Sequence, residues 1–344
     1  MLPASPEMED LLRQVSRSFY LTLRIMPRSI RRQLSCAYLL ARAADTIADT
    51  RLVDVRRRQE ALLRLRTCIR EACEGGMAPV PDFGELAETR ITAAGEGTPA
   101  ERGLLKNVGR ILNALSGFAA GDRQEIRKVL DTITHGQELD LGRFGTEPAD
   151  RVTALRTEGD LEEYIFCVAG CVGEFWTKLC RAHVFPAASL DDGILLENGI
   201  RFGKGLQLVN ILRDLPADLR EGRCYIPEAR LSEHGLRPQD LLDASAISRF
   251  RPLYESYLRQ AEDHLSSGWQ YTARLPFGCA RVRLACAWPI LIGVKTLAHL
   301  RIHNVLESRD RVKLSRSEVR RLVLLSLILY PCPPAWNRLF DAVR

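Results

Sequence analysis

Gln207-Leu208-Val209-Asn210-Ile211-Leu212-Arg213-Asp214-Leu215-Pro216-Ala217-Asp218 sets two amides and a carboxylate, Gln207, Asn210 and Asp214, at i, i+3 and i+7. On a helix these form one polar stripe through an otherwise apolar segment. Buried polar groups need partners, so such a line facing the interior of a helix bundle is better explained by metal and substrate than by packing alone. Pro216 removes a backbone donor and biases Leu215 away from helical backbone, so the helix is expected to bend or stop there. Asp214 is then the safer ligand, and Asp218 reaches a cation from a tightened last turn or through water.

Far upstream, Asp45-Thr46-Ile47-Ala48-Asp49 repeats the Asp-x-x-x-Asp spacing, with Arg42 one turn before Asp45. Carboxylates four apart lie on one helix face and can share a hard cation, although a solvated acidic face has the same pattern. Mg²⁺ is commonly held by one or two carboxylates while it bridges substrate phosphate oxygens. Two such pairs could clamp a diphosphate, with Arg42 and Arg213 adding charge-assisted hydrogen bonds as negative charge develops on the leaving group.

The surrounding chain is read as all-α, because apolar residues recur at three and four positions and alternating strand patterns are nearly absent. Helices are expected over 8–24, 30–50, 55–74, 102–118, 122–142, 160–181, 190–214, 238–244, 248–274, 278–304 and 316–330, within one domain covering 1–344. Gly75–Gly84 and Gly95–Gly103 read as loops, and Pro289 as a kink. Ser315-Arg316-Ser317-Glu318 has capping-box spacing. The run Leu322–Leu329 is expected to be a packed core helix, with a membrane-docking face as the alternative.

Of 344 residues, 46% are hydrophobic, enough for a substantial core, and no apolar run reaches the length expected of a bilayer-crossing helix. The balance of 49 Lys+Arg against 43 Asp+Glu gives +6, too dispersed for nucleic-acid binding. Ten cysteines without regular close spacing, and a start lacking a basic segment followed by an apolar stretch, point to free thiols in the cytoplasm. Cys167 and Cys171 lack well-placed histidines, and His299 and His303 lack the glutamate of a zinc-protease motif, so no zinc is expected. No His/Asp relay accompanies Ser16 and Ser18.

Ser16-Arg17-Ser18-Phe19-Tyr20, Tyr38 through Asp49, Tyr164 through Glu174, and Gln207 through Asp218 followed by Gly222-Arg223-Cys224-Tyr225-Ile226-Pro227 together resemble the squalene and phytoene synthase family, in the expected order through most of the chain. The resemblance implies an all-helical isoprenoid-synthase fold with the aspartate motifs on opposite walls of a central cavity. It also implies head-to-head condensation of two prenyl diphosphates through a cyclopropylcarbinyl diphosphate. Carried over by position, Asp45, Asp49, Asp214 and Asp218 would hold Mg²⁺ or Mn²⁺ with help from Asn210. Ser16, Arg17, Ser18, Arg42 and Arg213 would handle diphosphate, Phe19, Tyr38, Gln207 and Trp288 would contact substrate, and Tyr164 matches the catalytic tyrosine. A phenol there could relay the proton lost on ring closure. The small residues Ala169, Gly170 and Gly173 would allow close backbone approach. Phe166, Phe175 and Trp176 are further candidate cavity walls.

Leu284 through Leu297, followed by Val312-Lys313-Leu314, is similar to the squalene-synthase branch. That similarity implies farnesyl diphosphate as substrate and NADPH as hydride donor; Lys313 and Arg316 are candidate partners for cofactor phosphates, with solvated charges at a helix start as the equal alternative. The NADPH assignment rests on analogy, since no Gly-x-Gly-x-x-Gly follows a strand. The chain ends without a hydrophobic anchor, so a soluble, bacterial-type enzyme with peripheral membrane contact is expected. The enzyme alternatives stop at presqualene diphosphate or make dehydrosqualene or phytoene without reduction. A catalytically silent helical assembly protein is the alternative from another class, disfavoured by the intact aspartates and Tyr164.

Overall fold

The helix Arg28–Ala48 shows how the sequence sorts its faces. Leu34, Ala37, Leu40, Ala44 and Ile47 recur at helical spacing and are buried, each large aliphatic contributing about 1.5–3 kcal/mol on full burial. Tyr38, Arg42, Asp45 and Asp49 recur on another stripe and are half-buried or exposed. The computed structural model describes residues 6–16, 19–50, 53–76, 83, 98–145, 151–307 and 312–344.

The described residues form two compact units. One comprises Met1–Thr146 and Lys178–Pro186. It contains α1 (Pro6–Ser16), α2 (Phe19–Ile25), α3 (Arg28–Ala48), α4 (Val55–Glu74), α5 (Pro99–Lys106), α6 (Val108–Ser116) and α7 (Ala120–Phe144). Helices α3 and α4 both pack on α7, and Gln33 and His183 bond the buried carboxylate of Asp122 at 3.0 and 2.6 Å. The expected helix over 102–118 is two helices, because the Asn107 side chain donates to the Gly103 carbonyl at 2.8 Å and competes with the backbone ladder.

The other unit comprises Glu147–Thr177 and Ala187–Arg344. Its elements are β1 (Thr153–Ala154), α8 (Glu158–Ile165), a π turn (Phe166–Gly170), the first half of α9 (Cys171–His183), α10 (Asp192–Arg220), β2 (Arg223–Cys224), α11 (Glu228–Glu233), α12 (Ile247–Arg274), α13 (Ala280–Ile302), α14 (Arg316–Leu329), α15 (Pro333–Asn337) and α16 (Leu339–Val343). Helix α10 packs most extensively on α12, which packs on α13. The strands are a two-residue parallel pair, so an all-α reading stands.

Several expectations change. The segment 160–181 is not one uniform α-helix, since the π turn interrupts it. Of the bend or stop expected at Pro216, the stop does not occur, since α10 continues to Arg220; Pro289 lies inside the continuous helix α13. Segment 238–244 forms 3₁₀ turns, Pro238–Leu242 and Ala244–Ala246. Helix α13 is long and apolar enough to cross a bilayer by length and composition, but 56% of its apolar window is buried, as in a core helix. The run in α14 is not a core helix. Only Leu322 and Ser326 are buried there, while Leu324, Leu327 and Ile328 are 57%, 44% and 62% exposed, because the helix packs on α13 along a narrow face. The Ser315–Glu318 capping box forms as expected, and none of the ten cysteines is in a disulfide.

His264 on α12 carries a stability consequence. Burial, reinforced by Arg201, pulls its imidazole down from the usual 6.5 to about 4. Between those values the unfolded chain binds a proton that the native chain does not, so stability falls as pH drops from 6.5 toward 4 and is level above. Urea unfolding at pH 7 and pH 4.5 is expected to show about 2 kcal/mol more loss for the wild-type chain than for His264→Gln. Equal losses would contradict a depressed His264.

Candidate active site

In the first unit, α3 presents Tyr38, Arg42, Asp45 and Asp49 on one stripe. Arg42 donates to Glu101 on α5 at 2.8 Å and lies 3.6 Å from Asp45. Glu101 is held by the α5 capping box with Thr98. Gln137 on α7 donates through Nε2 to Asp45 Oδ1, while its own Oε1 is buried without a hydrogen-bond partner. Burial raises the Asp45 carboxyl above its usual range, opposed by Arg42 and Gln137 and reinforced by Asp49. Its side chain retains 43% exposure, so a cation could reach it. Asp49 caps the end of α3. A cavity of about 240 Å³ beside Arg42 is lined by Gln14, Val15, Thr98, Pro99, Ala100 and Glu101.

The Tyr38 hydroxyl donates to the Val15 carbonyl at 3.3 Å. The buried Ser16 hydroxyl donates to the Leu12 carbonyl within its own helix. Arg17 and Ser18 lie outside the described residues, as does the side chain of Phe19.

In the second unit, α10 carries the stripe Gln207, Asn210, Asp214 and Asp218. Asn210 Nδ2 donates to Gln207 Oε1 at 3.5 Å. Arg213 forks onto Asp214 with bonds of 2.8 and 2.9 Å. Gly222 takes φ of +77°, a conformation side chains rarely adopt, and turns the chain from α10 into β2. The pairing of β2 with β1 then brings Arg223 to 3.3 Å from Asp218. Tyr164 stacks on Tyr225 with ring centroids 4.7 Å apart. Gly173 meets the Gly199 backbone closely, as its small size suggested, and Gly203, which the motifs did not mark, meets the Ala169 backbone.

Trp288 is drawn into helix packing, its Nε1 donating to Ser326 on α14 at 3.0 Å. Phe175 and Trp176 are core residues. Lys313 and Arg316 are exposed and flank Ser315 at the start of α14.

Among the described residues no three His, Cys, Asp or Glu converge. Paired carboxylates joined by amide oxygens suit a hard cation that keeps water and takes its remaining ligands from phosphate. The unpartnered Gln137 oxygen beside Asp45 fits the same donor set. Asp45, Asp49 and Gln137 could hold such an ion in one unit, and Asp214, Asp218 and Asn210 in the other. Motif reading missed Gln137, Glu101, Arg223 and Tyr225. The segment Gly222–Pro227 carried a signal for Arg223 and Tyr225, whereas Gln137 is a mid-helix amide with nothing in its flanks to mark it.

Comparisons with known proteins bear on this arrangement. A bifunctional lycopene cyclase/phytoene synthase of Arthroderma gypseum (strain ATCC MYA-4604 / CBS 118893) is 29% identical over 267 residues, 77% of this chain and 42% of that protein. One from Blakeslea trispora is 27% identical over 323 residues, 91% of this chain and 48% of that protein. The chain thus spans less than half the length of these relatives. Among solved structures, a ligand complex of TcSQS has a TM-score of 0.70 at 20% identity, covering 98% of this chain and 97% of that one. A squalene synthase, HpnC, from Alicyclobacillus acidocaldarius has a TM-score of 0.61 at 20% identity, covering 87% and 94%. Both likenesses establish the fold. The squalene/phytoene synthase family profile matches residues 12–318, and with that match across most of its length the chain belongs to this family.

Proposed function

We propose that the chain is a prenyltransferase that condenses two prenyl diphosphates head to head, with farnesyl diphosphate as substrate and Mg²⁺ as required ion. The observation that carries this reading is the repeated motif of aspartates four apart with an arginine already engaged: Arg42 with Asp45, Arg213 with Asp214 and Arg223 with Asp218. Mg²⁺, or Mn²⁺ in its place, would supply positive charge to the diphosphate oxygens when bound. Arg42, Arg213 and Arg223 would then donate charge-assisted hydrogen bonds to the departing diphosphate. The C1–O bond of one substrate breaks with its electron pair leaving on diphosphate, and the double bond of the second substrate attacks the resulting cation. Loss of a proton then closes the cyclopropane ring. The half-buried Tyr164 hydroxyl, its ring steadied by Tyr225, would relay that proton.

The reading extends to reductive rearrangement to squalene, for which NADPH would supply a hydride. A second reading, an unreduced product of the phytoene type, is favoured by the names of the curated relatives. Peripheral contact with the inner face of an anionic membrane belongs to the proposal, supported by exposed Leu324, Leu327 and Ile328 next to exposed Arg320 and Arg321 on α14. Labelled farnesyl or geranylgeranyl diphosphate, incubated with Mg²⁺ with and without NADPH, is expected to give squalene only when farnesyl diphosphate and NADPH are both present. An unchanged product mixture on NADPH addition would reject the reductive step, and absence of any condensed product would reject the reading as a whole.

A further inference from the structure

We infer that Tyr254 is a positioning residue for the second acidic motif, its phenol replacing the backbone donor that Pro216 lacks. In an α-helix the amide of residue 216 would bond the carbonyl of Leu212, and a proline there leaves that carbonyl without its donor. Helix α10 nevertheless continues unbroken to Arg220. Tyr254 Oη, from α12, donates to the Leu212 carbonyl at 3.0 Å. Tyr254 and Leu212 are fully buried at 0% exposure and Pro216 is also buried, so little water can reach this carbonyl. The Tyr254 ring is held by Phe250, 5.4 Å away, and by the Arg251 guanidinium 6.0 Å over its face.

The turn Leu212–Pro216 contains Arg213 and Asp214, and Asp218 follows within the next turn. A buried carbonyl left without a donor tends to open its turn toward another partner, and helices kink where the ladder is broken this way. The phenol therefore fixes the pitch between Asp214 and Asp218, and with it the spacing of the carboxylates offered to a cation. This role rests on the proposed function only in treating those aspartates as ligands. The link between hydroxyl and proline does not depend on it.

A double-mutant cycle on the full chain separates the two. Tyr254→Phe is expected to weaken Mn²⁺ binding, read by electron paramagnetic resonance with inorganic diphosphate present, by about five- to tenfold. In a Pro216→Ala background the restored amide bonds Leu212, and the same Tyr254→Phe change is expected to alter Mn²⁺ affinity by less than about twofold. Circular dichroism and urea unfolding on all four proteins check that each is folded. An equal loss in both backgrounds would overturn the inference, because the hydroxyl would then act independently of the proline. Wild-type protein that binds no Mn²⁺ would overturn the ligand role of the aspartates and the positioning role with it. Non-additivity confined to unfolding would also overturn the positioning role, reducing Tyr254 to a structural hydrogen bond.

Discussion

Asp45→Asn and Asp214→Asn are each expected to lower kcat/KM for Mg²⁺-dependent diphosphate release by about 10²–10³-fold or more, while the chain remains folded. Asparagine keeps the volume and one oxygen but removes the charge a cation needs. In the Asp45 variant, Arg42 still has Glu101 at 2.8 Å, so the local ion network persists. In the Asp214 variant, the Arg213 guanidinium, 28% exposed, loses a bidentate partner but can turn toward water. Asp131→Asn is the matched control, since that carboxylate pairs with Arg66 at 3.2 Å in the first unit and belongs to neither motif. It should retain activity. Full activity in both motif variants would defeat the assignment of these carboxylates.

The largest stability effect is expected at the glycines between α9, α10 and the π turn. A Cβ at Gly173 would lie 1.9 Å from the Gly199 carbonyl oxygen, and one at Gly203 would lie 2.1 Å from the Ala169 oxygen. Both obstacles are backbone, so relief requires the segments to separate. Gly173→Ala and Gly203→Ala should each cost about 3 kcal/mol or more in urea unfolding. Gly142→Ala, in α7, meets nothing within 4 Å and should instead gain about 0.5–1 kcal/mol from better helix propensity. A neutral result at both Gly173 and Gly203 would mean that the close approach is not required.

Helical periodicity made most of the fold legible. The expected helix 55–74 matches α4, and the expected 248–274 differs from α12 by one residue. Periodicity failed where a side chain from elsewhere decides the outcome. Pro216 reads locally as a bend or stop, yet the buried Tyr254 hydroxyl, 42 residues beyond Leu212 in sequence, supplies the donor that the Leu212 carbonyl lacks. The run at Leu322–Leu329 is apolar enough for a core, but only Leu322 and Ser326 are buried, which the run itself does not reveal. Spacing alone picked out the two aspartate pairs with Arg42 and Arg213, and within its own unit each arginine does lie against one of those aspartates. Gln137 escaped because its value lies in a contact with Asp45 across 92 positions, and no local pattern encodes that.

The wide turn at Phe166–Gly170 also bears on how this segment should be aligned with its relatives. A turn closing at i+5 uses about one residue more than an α turn, so the downstream helix is rotated by roughly 100° from where an uninterrupted wheel would put it. Tyr164 precedes that slip and Gly173 follows it. A gap-free pairing with a homologue that lacks the extra residue would match one of these two positions and misregister the other, so transferring the tyrosine and the glycine between such chains calls for a single-residue gap inside 166–170.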